Sequence, residues 1–589
     1  VLSTLQKRLR QQLDGMRSGI SSYRRSDLRA DVNAGLTVGF MLIPQGMAYA
    51  LLAGLPPIYG LYAGLVPALV YGFLGGIPRL SIGPTALVSI LILTGLSGLA
   101  ETGTDRFLQL ALLTGFLAGL IQLLLGFVRL GFLINFVSHP VLSGFTSAAA
   151  IIIAISQFKY LLGLDLNGAN GFVEMSMALI QALPESSWPT LIFSGAALLL
   201  LLLLRRFARR LPGPLLLMVI SIASLRLLGT ERWDLDLLGN VPAGLPILDY
   251  SWLRSKDMAA LFPMSLTIAI ISFIESLAIA KALGSKRIQP DRELIALGAG
   301  KVAGAFYGAF PTTGSFSRSA VNADAGARSP LSGLVMVVLI ALTLLFLTPF
   351  FYYLPKALLG VIIIIAVVKL IRYDEAISLW NRDRRDFWTL IVTFLITLLA
   401  GIQAGIATGV LLSLGLMVYR NARPHYAILG RLPETGHYRN VDRFDEAIKD
   451  EEVLVFRFDA QLYFGNADHF QQVLEDRVRS ASGKLEVMVL DASNMHDIDS
   501  TGIQVLREFM SFLKERHIAF YLAGGIGPTR DALIRHKLIE EIGIEYCFLS
   551  VADATQDYYD HKHDRSRSNP SRVLQERWSE VHTNKNRRK

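Results

Sequence analysis

From about residue 30 to residue 420 the chain is a succession of apolar runs near twenty residues long, each closed by glycine, proline or charge. A helix needs roughly 20 apolar residues to cross a hydrocarbon core about 30 Å thick. By that criterion about fourteen spans are expected, near 29–51, 59–77, 83–99, 107–128, 138–160, 188–205, 212–229, 258–281, 293–309, 317–327, 330–350, 355–372, 386–400 and 402–420. After Tyr419 the runs stop and charged residues return at the density of a soluble domain. There, 453–458, 486–490 and 518–523 read as strands, and 468–480 and 501–516 as helices, an alternation that predicts a sheet packed on helices. The expected organisation is an N-terminal segment over 1–27, an all-α membrane domain over 28–421, a linker over 422–450, an α/β domain over 451–556 and a polar, basic tail over 557–589. That tail is too poor in large apolar residues to order itself.

Composition agrees: of 589 residues 52% are hydrophobic and 18% charged, too apolar for a soluble protein of ordinary usage. The formal charge of +9 does not point to nucleic acid, because of where it is placed. Lys7, Arg8, Arg10, Arg17, Arg24, Arg25 and Arg29 precede the first span, and Arg205, Arg206, Arg209 and Arg210 follow the sixth. Lys281, Lys286, Arg287 and Arg292 follow the eighth, Arg382, Arg384 and Arg385 the twelfth, and Arg420 and Arg423 the last. All fall on one side if the N-terminus is inside, as the positive-inside rule requires, so the N-terminus and the C-terminal domain are expected in the cytoplasm and the first span is expected to act as the insertion signal. One cysteine, Cys547, excludes an intramolecular disulfide framework, and histidines without ligand spacing give no reason to expect a metal or cofactor. No phosphate-cradling loop and no nucleophile paired with a histidine suggests an enzyme.

Two spans are shorter and more broken than the rest. The third opens on Ser81-Ile82-Gly83-Pro84-Thr85 and the tenth on Pro311-Thr312-Thr313-Gly314-Ser315-Phe316-Ser317-Arg318. They lie seven spans apart, so each is the third span of its half if the domain splits seven and seven with opposite orientations. Interrupted segments at matching positions of inverted halves point to a transporter's substrate site, although ordinary helix kinks use the same residues. Pairs such as Gly35 and Gly39, Gly115 and Gly119, Gly300 and Gly304, and Gly401 and Gly405 read as close helix packing.

With Ile43-Pro44-Gln45-Gly46-Met47-Ala48-Tyr49-Ala50, Pro57-Ile58-Tyr59-Gly60-Leu61-Tyr62, Ser81-Ile82-Gly83-Pro84 and Gly314-Ser315-Phe316-Ser317-Arg318-Ser319-Ala320-Val321-Asn322 in view, the chain resembles the SulP sulfate permeases from about Asp27 to about Asp553. The resemblance implies a fourteen-span fold shared with uracil transporters, with core and gate domains and commonly a homodimer; the expected location is the cell's inner membrane. It implies that the short third and tenth helices aim their N-termini at one another near the midplane, offering free N–H groups and positive dipole ends to an anion. Thr85, Ala86, Ser315, Phe316, Ser317 and Arg318 would surround that anion, with Gln45 and Tyr49 of the first span matching a family glutamine and aromatic. A guanidinium within a span is costly and usually lines a functional cavity, which singles out Arg318, although snorkelling and a buried structural pair also fit. Glu275, in Ser272-Phe273-Ile274-Glu275-Ser276-Leu277, repels an anion when ionised and tolerates it when protonated, which would link anion to proton. A sodium site, or a pairing with Arg318, is the alternative.

Moving a dianion into a negative cell costs about 2.3 kcal/mol per charge per 100 mV, roughly 4.6 for sulfate, so accumulation needs at least two co-moving cations. The expected activity is proton-coupled sulfate symport. Bicarbonate or C4-dicarboxylate transport, sodium coupling and anion exchange on the same fold are alternatives. In another class stands a membrane-anchored signalling scaffold. Asp491-Ala492-Ser493 and Asp497-Ile498-Asp499-Ser500-Thr501-Gly502 resemble STAS domains, in whose anti-sigma-factor antagonists the position of Ser500 can be phosphorylated; as local chemistry the loop needs only to be a helix cap, from Asp499 or Ser500. The domain's partner is not legible.

Overall fold

The computed structural model describes residues 25–132, 138–164, 171–207, 212–228, 235–254, 257–283, 288–433, 435–481 and 483–563. Lys7, Arg8, Arg10, Arg17, Arg24, Arg209, Arg210, Lys286, Arg287 and the tail from 564 lie outside them. The chain divides into two compact units, through Ser413 and from Leu414.

Each of the fourteen expected segments contains helix. The first unit holds α1 (Arg25–Leu52), α2 (Ile58–Ala63), α3 (Val66–Leu74), β1 (Ile82–Gly83), α4 (Ala86–Leu96), α5 (Asp105–Val128), α6 (His139–Leu162), α7 (Gly171–Ala182), α8 (Trp188–Phe207) and α9 (Gly213–Leu228). It continues through α10 (Met258–Ala282), α11 (Pro290–Ala305), β2 (Thr313–Gly314), α12 (Phe316–Asp324), α13 (Leu331–Phe346), α14 (Lys356–Val367), α15 (Tyr373–Arg382) and α16 (Arg384–Ala400) to α17 (Ile402–Ala422), which carries the unit boundary. Among the described residues five helices are long and apolar enough to cross a membrane alone, or six if α7 and α8, bent by 114°, count as one span. The others are shorter for a structural reason. At 1.5 Å per residue α4 and α12 reach only about 17 and 14 Å, half the hydrocarbon core.

In this first unit two of these helices were not expected. α7 and α15 carry no apolar run near twenty residues, and α15 buries none of its residues, so a span criterion passes over both. Close packing by small residues is present where it was expected: a Cβ on Gly119 of α5 would lie 2.8 Å from the Gly298 carbonyl of α11, and one on Gly35 would lie 2.4 Å from the Ser332 carbonyl. The backbones touch there, which lipid-facing helices achieve only through small residues.

The second unit is a six-stranded sheet in the order β4-β3-β5-β6-β7-β8, formed by Tyr426–Arg431 (β3), Tyr438–Asn440 (β4), Val453–Phe458 (β5), Val487–Asp491 (β6), Ala519–Ala523 (β7) and Cys547–Phe548 (β8). β5 to β8 run parallel, and β3 is antiparallel to both neighbours. Helices α18 (Ala467–Arg479), α19 (Ser500–Lys514), α20 (Gly527–Arg535) and α21 (Leu538–Ile542) cover one face through a core that includes Phe456, Phe470, Leu490 and Phe509. α22 (Val551–His563) covers the other through Val551, Ala554 and Tyr558.

Two expected boundaries are therefore corrected. The stretch 422–450 is not a linker, because β3 and β4 complete the sheet. The polar tail does not begin at 557: α22 reaches His563, with Tyr558 buried and its hydroxyl donating to Glu486 at 2.8 Å. Tyrosines anchor this last helix where long aliphatics were looked for.

Candidate functional site

The interrupted segments at 81–85 and 311–318 meet. Ile82 pairs with Gly314 and Gly83 with Thr313 in an antiparallel bridge, the arrangement that two equivalent segments of opposite orientation must adopt about a shared axis. The Ser315 N–H donates to the Ser81 carbonyl at 3.0 Å, and the Ser81 N–H donates to Ser319 Oγ at 2.9 Å. β1 leads into α4 through Thr85 and β2 into α12 through Ser315, each the extended residue before its helix. The Ser315 hydroxyl accepts the Arg318 N–H at 3.5 Å, whereas Thr85 makes no such cap, and its buried hydroxyl has no protein partner. The first N–H groups of any helix lack intrahelical acceptors. Two such sets open here on the same space.

That space is a cavity of about 940 Å³. Gln45 and Tyr49 of α1, Thr85 and Ala86 at α4, Glu275 of α10, and Ser315, Phe316 and Ser317 at α12 all line it. The Gln45 carbonyl oxygen and Glu275 Oε2 are buried without a protein hydrogen-bond partner. Thr37 and Met41 of α1, Leu204 of α8, Pro212 to Pro214 entering α9, Asp324 and Ala325 ending α12, and Lys369 and Arg372 after α14 continue the lining. Followed along the chain, these are the ends nearest the basic clusters, so the cavity runs from the paired N-termini toward the Arg- and Lys-rich side.

Arg318, expected to contribute to the site's positive field and not necessarily by direct contact, stands off the cavity wall. It is fully buried, and its guanidinium lies behind the site, where a Cβ on Gly83 would stand 3.1 Å from Nη2. None of its three guanidinium nitrogens has a protein hydrogen-bond partner, so neither a pairing with Glu275 nor a snorkelling arginine describes it. It remains within electrostatic reach of Tyr49 and Glu275. Consecutive helical residues point about 100° apart, and with Phe316 and Ser317 both on the cavity the next step of the turn carries Arg318 off that face. The β1–β2 bridge lies beside it, with Gly83 of β1 next to its guanidinium.

Other buried charges escaped the sequence reading. Lys301 of α11 is 2% exposed and bonds Gln122 Oε1 at 2.9 Å. Glu293 of the same helix accepts the Tyr71 hydroxyl at 2.7 Å and the Gly76 N–H at 2.8 Å. Asp31 accepts the Arg328 N–H at 2.7 Å and the Ser329 hydroxyl at 2.5 Å. A lysine inside Gly298-Ala299-Gly300-Lys301-Val302-Ala303-Gly304 was the available signal, masked by the glycine pattern.

In the second unit Asp499 caps α19, accepting the Gly502 N–H at 2.8 Å and the Phe464 N–H at 2.9 Å, and Ser500 beside it is exposed.

Residues 28–393 match the sulfate permease family, and residues 446–554 match the STAS domain. The chain is 38% identical to Sulfate transporter 4.1, chloroplastic, of Arabidopsis thaliana, over 91% of this chain and 81% of that protein. It is 31% identical to High affinity sulfate transporter 2 of Stylosanthes hamata, over 91% and 85%. In fold it is similar to the murine Slc26a9 anion transporter in the inward-facing state, with a TM-score of 0.85 at 24% identity over 92% of this chain and 93% of that one.

Proposed function

Since the chain belongs to the sulfate permease family and carries its STAS domain, we propose that it moves sulfate across the cell's inner membrane together with protons, by alternating access around the paired N-termini of α4 and α12. One observation supports this reading above the others: an ionisable carboxyl, Glu275, lines the same cavity as two helix N-termini. Free N–H groups, the hydroxyls of Thr85, Ser315 and Ser317, the Gln45 amide and the Tyr49 phenol are donors suited to a tetrahedral oxyanion, and the dipole ends and Arg318 supply positive field without a contact charge. An ionised Glu275 opposes the anion. A protonated one removes the repulsion and offers a donor, so anion and proton favour one another in the same cavity. The names of the plant relatives favour sulfate as cargo.

In this reading the N-terminus and the STAS domain are cytoplasmic and the cavity is the inward-facing state. The protein is a homodimer, and the STAS domain regulates transport, with Ser500 an accessible position for phosphate at a helix N-terminus. The test is uptake of labelled sulfate into proteoliposomes under an inward proton gradient or an inward sodium gradient imposed separately. Concentrative uptake driven by protons alone is expected. A requirement for sodium, or transport of bicarbonate or a dicarboxylate in place of sulfate, would overturn the coupling or the cargo.

A further inference from the structure

Lys301 is a second buried cation, and its neighbours connect it to the site. Its ammonium donates to Gln122 Oε1 of α5 at 2.9 Å, while Gln122 Nε2 donates to the Ala269 carbonyl at 2.7 Å and to Ser272 Oγ at 2.9 Å on α10. The Ser272 carbonyl accepts the Thr313 hydroxyl at 2.8 Å. Ser276 Oγ, 3.2 Å from Thr313 Oγ1, accepts the Gly314 N–H at 3.2 Å. Hydrogen bonds therefore lead from Lys301 through Gln122 to the Ser272 side chain, and from the Ser272 carbonyl through Thr313 and Ser276 into β2, the strand that delivers Ser315 and the N-terminus of α12. Because both Gln122 donors face α10, its carbonyl oxygen must face the ammonium.

Packing does not require this charge. An ammonium is strongly hydrated, and an apolar side chain of similar length would fill the same space without desolvating it. Nor does another group neutralise it. α5 carries charge only at its start, in Asp105 and Arg106, and α3 carries none. Tyr71 of α3 is bonded to Glu293, two turns away along α11. From α10 the group within electrostatic reach of Lys301 is Glu275. With Lys301 in its ammonium form, the buried charges within electrostatic reach of Glu275 are Arg318 and Lys301, and the three sum to +1 with the carboxyl ionised and +2 with it protonated. The second value matches a dianion.

We propose that Lys301, oriented by Gln122, is a second fixed cation of the anion site and a positioning residue that gives the site its preference for divalent over monovalent anions. The inference rests on the sulfate reading, and the experiment separates the two. Purified full-length protein is titrated calorimetrically with sulfate and with methyl sulfate, a monoanion of nearly the same shape. A unit charge about 10 Å away at an effective dielectric of about 20 changes the ratio of the two affinities by about tenfold, because it acts twice on the dianion. Wild type favours sulfate. Lys301→Met lowers the sulfate to methyl sulfate ratio by about tenfold, and Lys301→Arg retains it. Gln122→Glu, which neutralises the ammonium in place while keeping the side-chain shape, lowers the ratio similarly and carries the test if Lys301→Met does not fold. Equal losses for both anions, leaving the ratio unchanged, would assign Lys301 a structural role and overturn the proposal. Wild-type protein that bound neither anion would overturn the sulfate reading itself.

Discussion

Glu275→Gln isolates the coupling step, because glutamine keeps the shape and a hydrogen-bond donor while fixing the group in its uncharged form. Glu275 lines the same cavity as the two N-termini; Asp324, the other carboxyl on the cavity wall, stands at the end of α12. Under the proposed proton symport, at least one proton per cycle would bind Glu275. One pH unit is worth 1.36 kcal/mol per proton, a factor of about ten in sulfate accumulation. Inside-negative voltage opposes each uncompensated negative charge by about 2.3 kcal/mol per 100 mV, so the membrane potential must be clamped at zero with symmetric potassium and valinomycin. Under that clamp, wild-type proteoliposomes with one unit of inward proton gradient should accumulate labelled sulfate at least about tenfold, and Glu275→Gln about onefold. The variant should still exchange external for internal sulfate, since a neutral side chain leaves the anion's donors in place. Accumulation that survives in Glu275→Gln would place the proton elsewhere and refute this reasoning.

Arg318→Met should lower sulfate transport by about a hundredfold while leaving thermal stability equal or higher, because a fully buried guanidinium without hydrogen-bond partners is removed; melting of the purified protein followed by transport reads both. Gly119→Leu forces side-chain atoms where a Cβ already stands 2.8 Å from the Gly298 carbonyl, and a loss of about 1–3 kcal/mol is expected as a lowered melting midpoint. In the STAS unit burial alone would raise the Asp459 carboxyl, but hydrogen bonds from Arg457 (2.6 Å), Asn494 (2.6 Å) and His425 (2.7 Å) hold it below the usual carboxylate value. The ionised form is favoured in the folded state, so its stabilisation is present above about pH 4 and is lost as pH falls through the lower folded value; Asp459→Asn should flatten the acid limb of STAS unfolding. Burial pushes the Cys547 thiol up to about 12, and iodoacetamide at neutral pH should label it only after denaturant unfolds the domain.

The spans were legible because lipid leaves no alternative: a backbone crossing hydrocarbon must satisfy itself within a helix, so apolar run length is read directly. The strand at 453–458 was legible as a short, nearly continuous apolar run of a buried strand, and the helix at 501–516 by the helical period of its apolar positions. The two interrupted segments were legible because glycine, proline and hydroxyl residues breaking a span mark where helix ends meet something polar; Gln45 and Tyr49, which also line the cavity, were singled out by the family resemblance and not by any local pattern.

What the sequence by itself determined was which segments cross, which two are broken and which charges stand among apolar residues. Tertiary structure alone decided where those charges point. Arg318 follows Ser317 by one residue, yet the helical turn places one on the cavity and the other behind β1. Lys301 reads as an isolated lysine in a glycine-rich helix until α5 and α10 bring Gln122 and Ser272 to it from distant parts of the chain. Direction and partnership depend on how helices rotate and pack against one another, and no local period records that.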